Sequence, residues 1–124
     1  MPTRILIADD DPTTLTLLRT TLRNYGMDCR IAEEGEQALA LIRSAPPDVA
    51  ILDVVMPNLD GFEVLAAVRN DRSLRHVRVM LLTAMQQEAD IVRGFALGAD
   101  DYVLKPFSPV EVVARLKRLV RSEP

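Results

Sequence analysis

Residues 5–12 read ILIADDDP, and the register of that octet decides the fold. Ile5-Leu6-Ile7-Ala8 leaves no polar side for solvent, as in a strand covered on both faces of a parallel sheet. Three acids follow at once, Asp9, Asp10 and Asp11, and then Pro12. Asp11-Pro12 reads as a helix start, with an N-cap side chain and a proline in the first turn, where its missing N–H is not needed. A buried strand therefore runs through a carboxylate cluster straight into a helix.

The same alternation fills the chain. Further short apolar runs are Cys29 to Ala32, Val49 to Val54, Val79 to Thr83 and Tyr102 to Lys105. Between them, apolar residues recur three or four apart: Leu15, Leu18 and Leu22; Ala38, Leu39 and Ile42; Phe62, Leu65 and Val68; Val92, Phe95 and Ala96; Val113, Leu116 and Val120. Each set is read as the core-facing stripe of a helix. Pro46-Pro47 stops the second helix. Gly98 lies where a left-handed C-terminal cap would end the fourth, and Ser108-Pro109-Val110-Glu111 fits a capping box opening the fifth. Five strands alternating with five helices predict a doubly wound α/β sheet. Residues 1–124 are expected to form one domain, without repeats or linkers.

Composition excludes several roles. The net charge is −3, which argues against unaided binding to nucleic-acid phosphates. Arg115, Lys117, Arg118 and Arg121 interleave with Val113, Leu116 and Val120, the pattern of an amphipathic helix with a wet basic face. A lone Cys29 forms no internal disulfide and nothing resembles a zinc cluster, so a reducing cytoplasm fits best. No apolar run approaches the roughly 20 residues that cross a bilayer, and Met1 to Arg4 lead directly into the first strand, so neither membrane attachment nor secretion is expected.

In an open parallel sheet, ligands bind beyond the carboxyl ends of the strands. Those ends hold Asp9-Asp10-Asp11 after the first strand, Asp53 at the third, Thr83 at the fourth and Lys105-Pro106 at the fifth. Clustered carboxylates repel, so two or three at one rim imply a cation. Mg2+ suits them, since it prefers hard oxygen ligands, and Mn2+ is an acceptable substitute. A lysine supplies positive charge for phosphoryl oxygens, and a carboxylate can attack phosphorus and carry an aspartyl phosphate. Thr83 offers a hydroxyl to a phosphate oxygen. Taken singly these are ordinary residues: a loop acid, a surface lysine, a β-branched strand residue. Asp11 alone is better read as a helix cap than as a metal ligand. Delivered together from four strand ends, the others predict a site for phosphoryl chemistry.

Along essentially its whole length the chain resembles the receiver domains of two-component response regulators. The resemblance rests on Ile5 to Asp10, on Asp48 to Pro57 (DVAILDVVMP), on Asp60-Gly61, on Leu81 to Ala84 and on Gly98 to Phe107, in that order and spacing. It implies a flavodoxin-like sheet of strand order 2-1-3-4-5 flanked by five helices. It also implies that Asp53 accepts a phosphoryl group from a sensor histidine kinase or phosphotransfer protein. Asp9, Asp10 and Asp53 would hold Mg2+ with the backbone carbonyl of Val55, Asp10 directly and Asp9 partly through water. Lys105 would contact the phosphoryl group, Thr83 would be drawn toward it, and the ring of Tyr102 would follow as an aromatic switch, with the small Ala84 leaving room. A tyrosine of fixed orientation is the competing reading. The Lys105-Pro106 peptide is expected to be cis. Such a domain promotes its own phosphorylation and slow autodephosphorylation and is not otherwise an enzyme.

Val55 and Met85, two residues after Asp53 and Thr83, are apolar where many relatives carry polar groups. Neither orients an attacking water and both shield the site, so a long-lived phosphoryl group is expected. The segment from Asp100 to Arg121 resembles receivers of the winged-helix transcription-factor branch that dimerise, on phosphorylation, through the fourth helix, fifth strand and fifth helix. Asp100, Asp101, Glu111 and Arg115 match charged positions used there. Ile91, Ala96 and Ser122 stand where that branch has a lysine, a glutamate and an arginine, so the network is incomplete. Surface pairs contribute only about 0 to 1 kcal/mol each, and Asp101 and Arg115 could equally pair within one chain. The output, a separate protein target or a fused domain, is left open.

Other classes fit less well. A phosphatase of the haloacid-dehalogenase type needs a second acid at position 55, where valine stands. A flavin carrier would need a phosphate-binding loop where three aspartates would repel the phosphate. A degenerate receiver acting as a phosphorylation-independent interaction module is the remaining alternative, although Asp9, Asp10, Asp53, Thr83 and Lys105 are all present.

Overall fold

A computed structural model describes residues 2–121. In chain order the elements are β1 (Arg4–Ala8), α1 (Pro12–Asn24), β2 (Asp28–Ala32), α2 (Gly35–Ser44), β3 (Val49–Leu52), α3 (Gly61–Asn70), β4 (Arg78–Thr83), α4 (Glu88–Ala96), β5 (Asp101–Leu104) and α5 (Pro109–Arg121). The sheet is parallel throughout, in the order β2-β1-β3-β4-β5. The alternation of side chains along each strand divides the core in two. Ile5 and Ile7 pack with Leu15, Leu18, Leu22 and Leu116 beneath α1 and α5. Leu6 and Ala8 face the opposite way, among Leu39, Ile42, Phe62 and Leu65 beneath α2 and α3. Both faces are covered, which is why the strands read as unbroken apolar runs.

The helix ends follow their local chemistry. Asp11 caps α1, its carboxylate accepting from the Thr13 N–H at 3.1 Å and the Thr14 hydroxyl at 2.9 Å, with Pro12 in the first turn. Gly98 has φ +107°, and the bonds from Gly98 N–H to Phe95 O and from Ala99 N–H to Gly94 O close α4 in a Schellman cap. At α5 only half of the expected box forms. The Ser108 hydroxyl accepts from the Glu111 N–H at 3.3 Å, but the Glu111 carboxylate turns to Arg115 instead. The reciprocal box opens α3, where Asp60 and Glu63 each accept from the other's N–H.

Two expectations need correction. The third strand ends at Leu52 and the fifth at Leu104, so Asp53 and Lys105 stand just beyond the strands. The stripe Val92, Phe95 and Ala96 is not core: Val92 is 60% exposed and Phe95 48%, and Gly94 is the buried residue of α4. Periodicity of apolar side chains overlooks a contact made by a residue that has none. Ala84 is exposed. The Tyr102 ring lies close against Gly94, where an added Cβ would be 3.0 Å from the ring and 2.9 Å from Leu81. Ser122 lies outside the described residues. The Lys105–Pro106 peptide is cis.

Candidate functional site

Strand register sets the site. Ala8 pairs with Leu52, and the next bond, from Asp53 N–H to Ala8 O, brings Asp9 and Asp53 side by side. Thr83 pairs with Leu104, and the Lys105 N–H bonds to Thr83 O, which carries Lys105 to the same rim. Its ammonium lies 2.6 Å from Asp9 Oδ2 and 2.8 Å from Asp53 Oδ2. Asp9 and Asp53 are almost fully buried, whereas Asp10 is exposed. One carboxylate oxygen from each of the three acids lies within 4.8 Å of the others. Three hard oxygen donors on one open rim are the donor chemistry that Mg2+ prefers. The remaining oxygens are also held: Asp9 Oδ1 accepts from the Asp11 N–H at 2.9 Å and Asp53 Oδ1 from the Val55 N–H at 3.2 Å.

The electrostatics follow from this crowding. Burial pushes the Asp9 carboxyl above its ordinary value, an effect partly offset by the hydrogen bond from Lys105. Burial alone would lower Lys105, but its hydrogen bonds to Asp53 and Asp9 outweigh that and hold its ammonium above the usual range.

Thr83 is fully buried, and its hydroxyl accepts from the Met85 N–H at 3.3 Å. Tyr102, 9% exposed, donates its hydroxyl to the Met85 carbonyl at 2.6 Å. Both residues thus hold Met85, Thr83 at its N–H and Tyr102 at its carbonyl. The Tyr102 ring lies 6.4 Å from that of Phe95 and packs against Gly94. Val55 is 62% exposed beside the acids, and Met85 is half-buried.

The four charged residues placed on a dimer face are all engaged within the chain. Asp101, nearly buried, receives Arg115 Nη1 on both oxygens at 2.9 and 3.1 Å, and Arg118 at 3.3 Å. Glu111 accepts from Arg115 Nε at 3.0 Å. Asp100 stands apart from them, accepting from Arg69 at 2.9 Å and from the Val79 N–H at 2.8 Å. Arg69 also bonds the carbonyls of Gly98 and Val77, a clamp that its place as one arginine at a helix end does not betray. Gly94, Asn58 and Glu34 likewise carry no chemical signature in the sequence.

The match to known proteins agrees with this geometry. The family model of the response regulator receiver domain matches residues 5–117, and the chain belongs to that family. It is 42% identical over 124 residues to the DNA-binding response regulator MtrA of Mycolicibacterium smegmatis, covering 99% of this chain and 53% of that protein. It is 43% identical over 121 residues to the alkaline phosphatase synthesis transcriptional regulatory protein PhoP of Bacillus subtilis, covering 98% and 50%. The chain thus spans about half the length of these curated relatives. Among solved structures, the BeF3-activated DrrB receiver domain superposes with a TM-score of 0.87 at 32% identity, covering 97% of this chain and 98% of that one. The chain is a receiver domain of a two-component response regulator. Among the described residues, no helix is long and apolar enough to cross a membrane.

Proposed function

We propose that residues 1–124 form one phosphorylation-activated switch in which Asp53 accepts a phosphoryl group from a histidine kinase or phosphotransfer protein. The observation that supports this most directly is the bridging of Asp9 and Asp53 by Lys105, with the exposed Asp10 carboxylate at the same rim. Asp9, Asp10, Asp53 and the Val55 carbonyl would hold Mg2+, with Mn2+ as a substitute. When bound, the ion supplies charge neutralisation for the phosphoryl oxygens and for the acids themselves.

In the transfer step an Asp53 oxygen forms a bond to phosphorus as the donor's P–N bond to histidine breaks, leaving an acyl phosphate and a free imidazole. Lys105, already 2.8 Å from an Asp53 oxygen, turns its ammonium to the phosphoryl oxygens. The Thr83 hydroxyl exchanges the Met85 N–H for a phosphoryl oxygen. Because Tyr102 holds the other side of Met85, that exchange bears on the tyrosine and on the face formed by α4, β5 and α5. The face would then bind a downstream target, a fused output domain or, on phosphorylation, a second copy. The paired state of Asp101, Glu111 and Arg115 means that a dimer must share or break those bonds. MtrA is described as DNA-binding; by likeness we place any DNA contact in the part of such a protein that this chain does not span. The domain's own reactions are self-phosphorylation and slow hydrolysis in the cytoplasm.

The test is titration with Mg2+ and beryllofluoride, a phosphoryl mimic, followed by amide NMR. Saturable shifts around Asp53, Thr83 and Lys105, lost in Asp53→Asn, are expected. Absence of saturation, or an equal response in the variant, would favour a phosphorylation-independent binding module instead.

A further inference from the structure

The loop that joins β3 to α3 carries the Val55 carbonyl, and its path is set from both ends. Near the acids, the Gly61 N–H donates to Val54 O at 2.8 Å, and a Cβ at Gly61 would overlap the Asp53 carbonyl. Val54 and Met56 are buried, which leaves Val55 between them facing outward beside Asp53. At the loop tip, Asn58 adopts φ +70°, a left-handed conformation that asparagine tolerates better than most residues. Its Nδ2 donates to Glu34 Oε2 at 2.7 Å.

Glu34 belongs to a different element. It is the N-cap of α2, where its other oxygen accepts from the Gln37 N–H at 2.6 Å. Beside it the Gly35 N–H donates to Pro57 O at 3.3 Å, and any Cβ at Gly35 would overlap the Leu59 carbonyl. The tip of the loop is therefore fastened to the start of a helix 24 positions earlier in sequence. Glu34 and Asn58 bond each other rather than any of the three acids.

We infer that the Glu34–Asn58 bond is a positioning latch for the metal site. It fixes the course of the β3–α3 loop, and through it the placement of the Val55 carbonyl relative to Asp10 and Asp53. Mg2+ affinity then depends on two residues that touch neither the ion nor its carboxylates, because a loose tip would have to be ordered when the ion binds. The inference rests on the metal-binding reading above and extends it to residues outside the acidic rim.

Two variants separate the latch from the backbone. Asn58→Gly keeps the left-handed turn and deletes the amide, while Glu34→Ser keeps a helix cap and is too short to reach the loop. Glu34→Gln serves as rescue, since its amide can donate to the Asn58 side-chain oxygen once that amide rotates. Amide hydrogen exchange of Gly35, measured without metal, is expected to accelerate in the first two variants and to recover with glutamine. Mg2+ titration is expected to show binding weakened by about tenfold in each, the low end for groups that orient metal ligands. The double variant should be no weaker than either single one. Unchanged exchange at Gly35, unchanged Mg2+ affinity or additive losses would overturn the latch. A native chain that binds no Mg2+ would instead overturn the functional reading and the link to the ion, while the exchange data still decide whether the loop is latched.

Discussion

One ammonium, that of Lys105, faces two buried carboxylates. Removing it leaves like charges with only backbone donors between them. Lys105→Met should lower stability by about 1 to 3 kcal/mol near pH 7, a value below that of a fully buried pair because Lys105 is one-fifth exposed. Added Mg2+ should shrink the difference by restoring positive charge. The pH dependence has a definite sign. Lys105 is held above its ordinary 10.5, so the bridge contributes in full below pH 10.5 and is lost as pH rises through the raised folded value. Asp9 acts oppositely, since its raised carboxyl makes ionisation in the fold a penalty that is absent below pH 3.8 and grows above it. Urea titrations of both proteins across pH check this, and equal stability at pH 7 would contradict it. At the same rim, Val55→Asn with Met85→Glu should speed loss of a phosphoryl group by about tenfold, short of the hundredfold or more of a dedicated general base. Decay of radiolabelled protein measures it, and an unchanged half-life would remove the shielding role. That Asp9, Asp10, Asp53 and Lys105 meet at one rim was legible because each is a chemically distinctive residue next to a strand end. Glu34 and Asn58 were not, since their pairing depends on the path of a loop.

Among the elements, α1, α2, α3 and α5 each bury several apolar side chains, and their stripes could be read from spacing, whereas α4 adds only the half-buried Ile91. Helix α4 packs through Gly94 against Leu81 and Tyr102, and its exposed Val92 and Phe95 mimic a buried stripe. Gly94→Ala tests this. Alanine favours a helix by about 1 kcal/mol over glycine, but overpacking of this kind typically costs about 1 to 3 kcal/mol. A net loss of about 1 kcal/mol is expected in urea unfolding, together with displacement of the Tyr102 ring resonances. A gain in stability with unmoved Tyr102 signals would show that the contact yields freely.

Across the whole molecule, negative charge gathers at the rim formed by Asp9, Asp10 and Asp53, while Arg115 and Arg118 of α5 reach across the surface to Asp101. Lys117, Arg118 and Arg121 keep the wet face that spacing predicts, and of the two readings of Asp101 and Arg115 the pair within one chain is the one formed. Burial of Asp101, which no periodicity discloses, draws Arg115 and Arg118 back onto their own chain. Arg115→Ala should therefore destabilise the chain by about 1 to 2 kcal/mol at any protein concentration, because it strips a nearly buried carboxylate of its main partner. Sensitivity that appears only at high concentration would locate the role of Arg115 between copies instead. The central claim, that Asp53 is the phosphoacceptor, is tested most directly by intact-mass spectrometry after incubation with Mg2+ and a small phosphodonor. A single phosphoryl adduct on the native chain, absent from Asp53→Asn, is predicted; no adduct on the native chain, or an undiminished one on the variant, would contradict it.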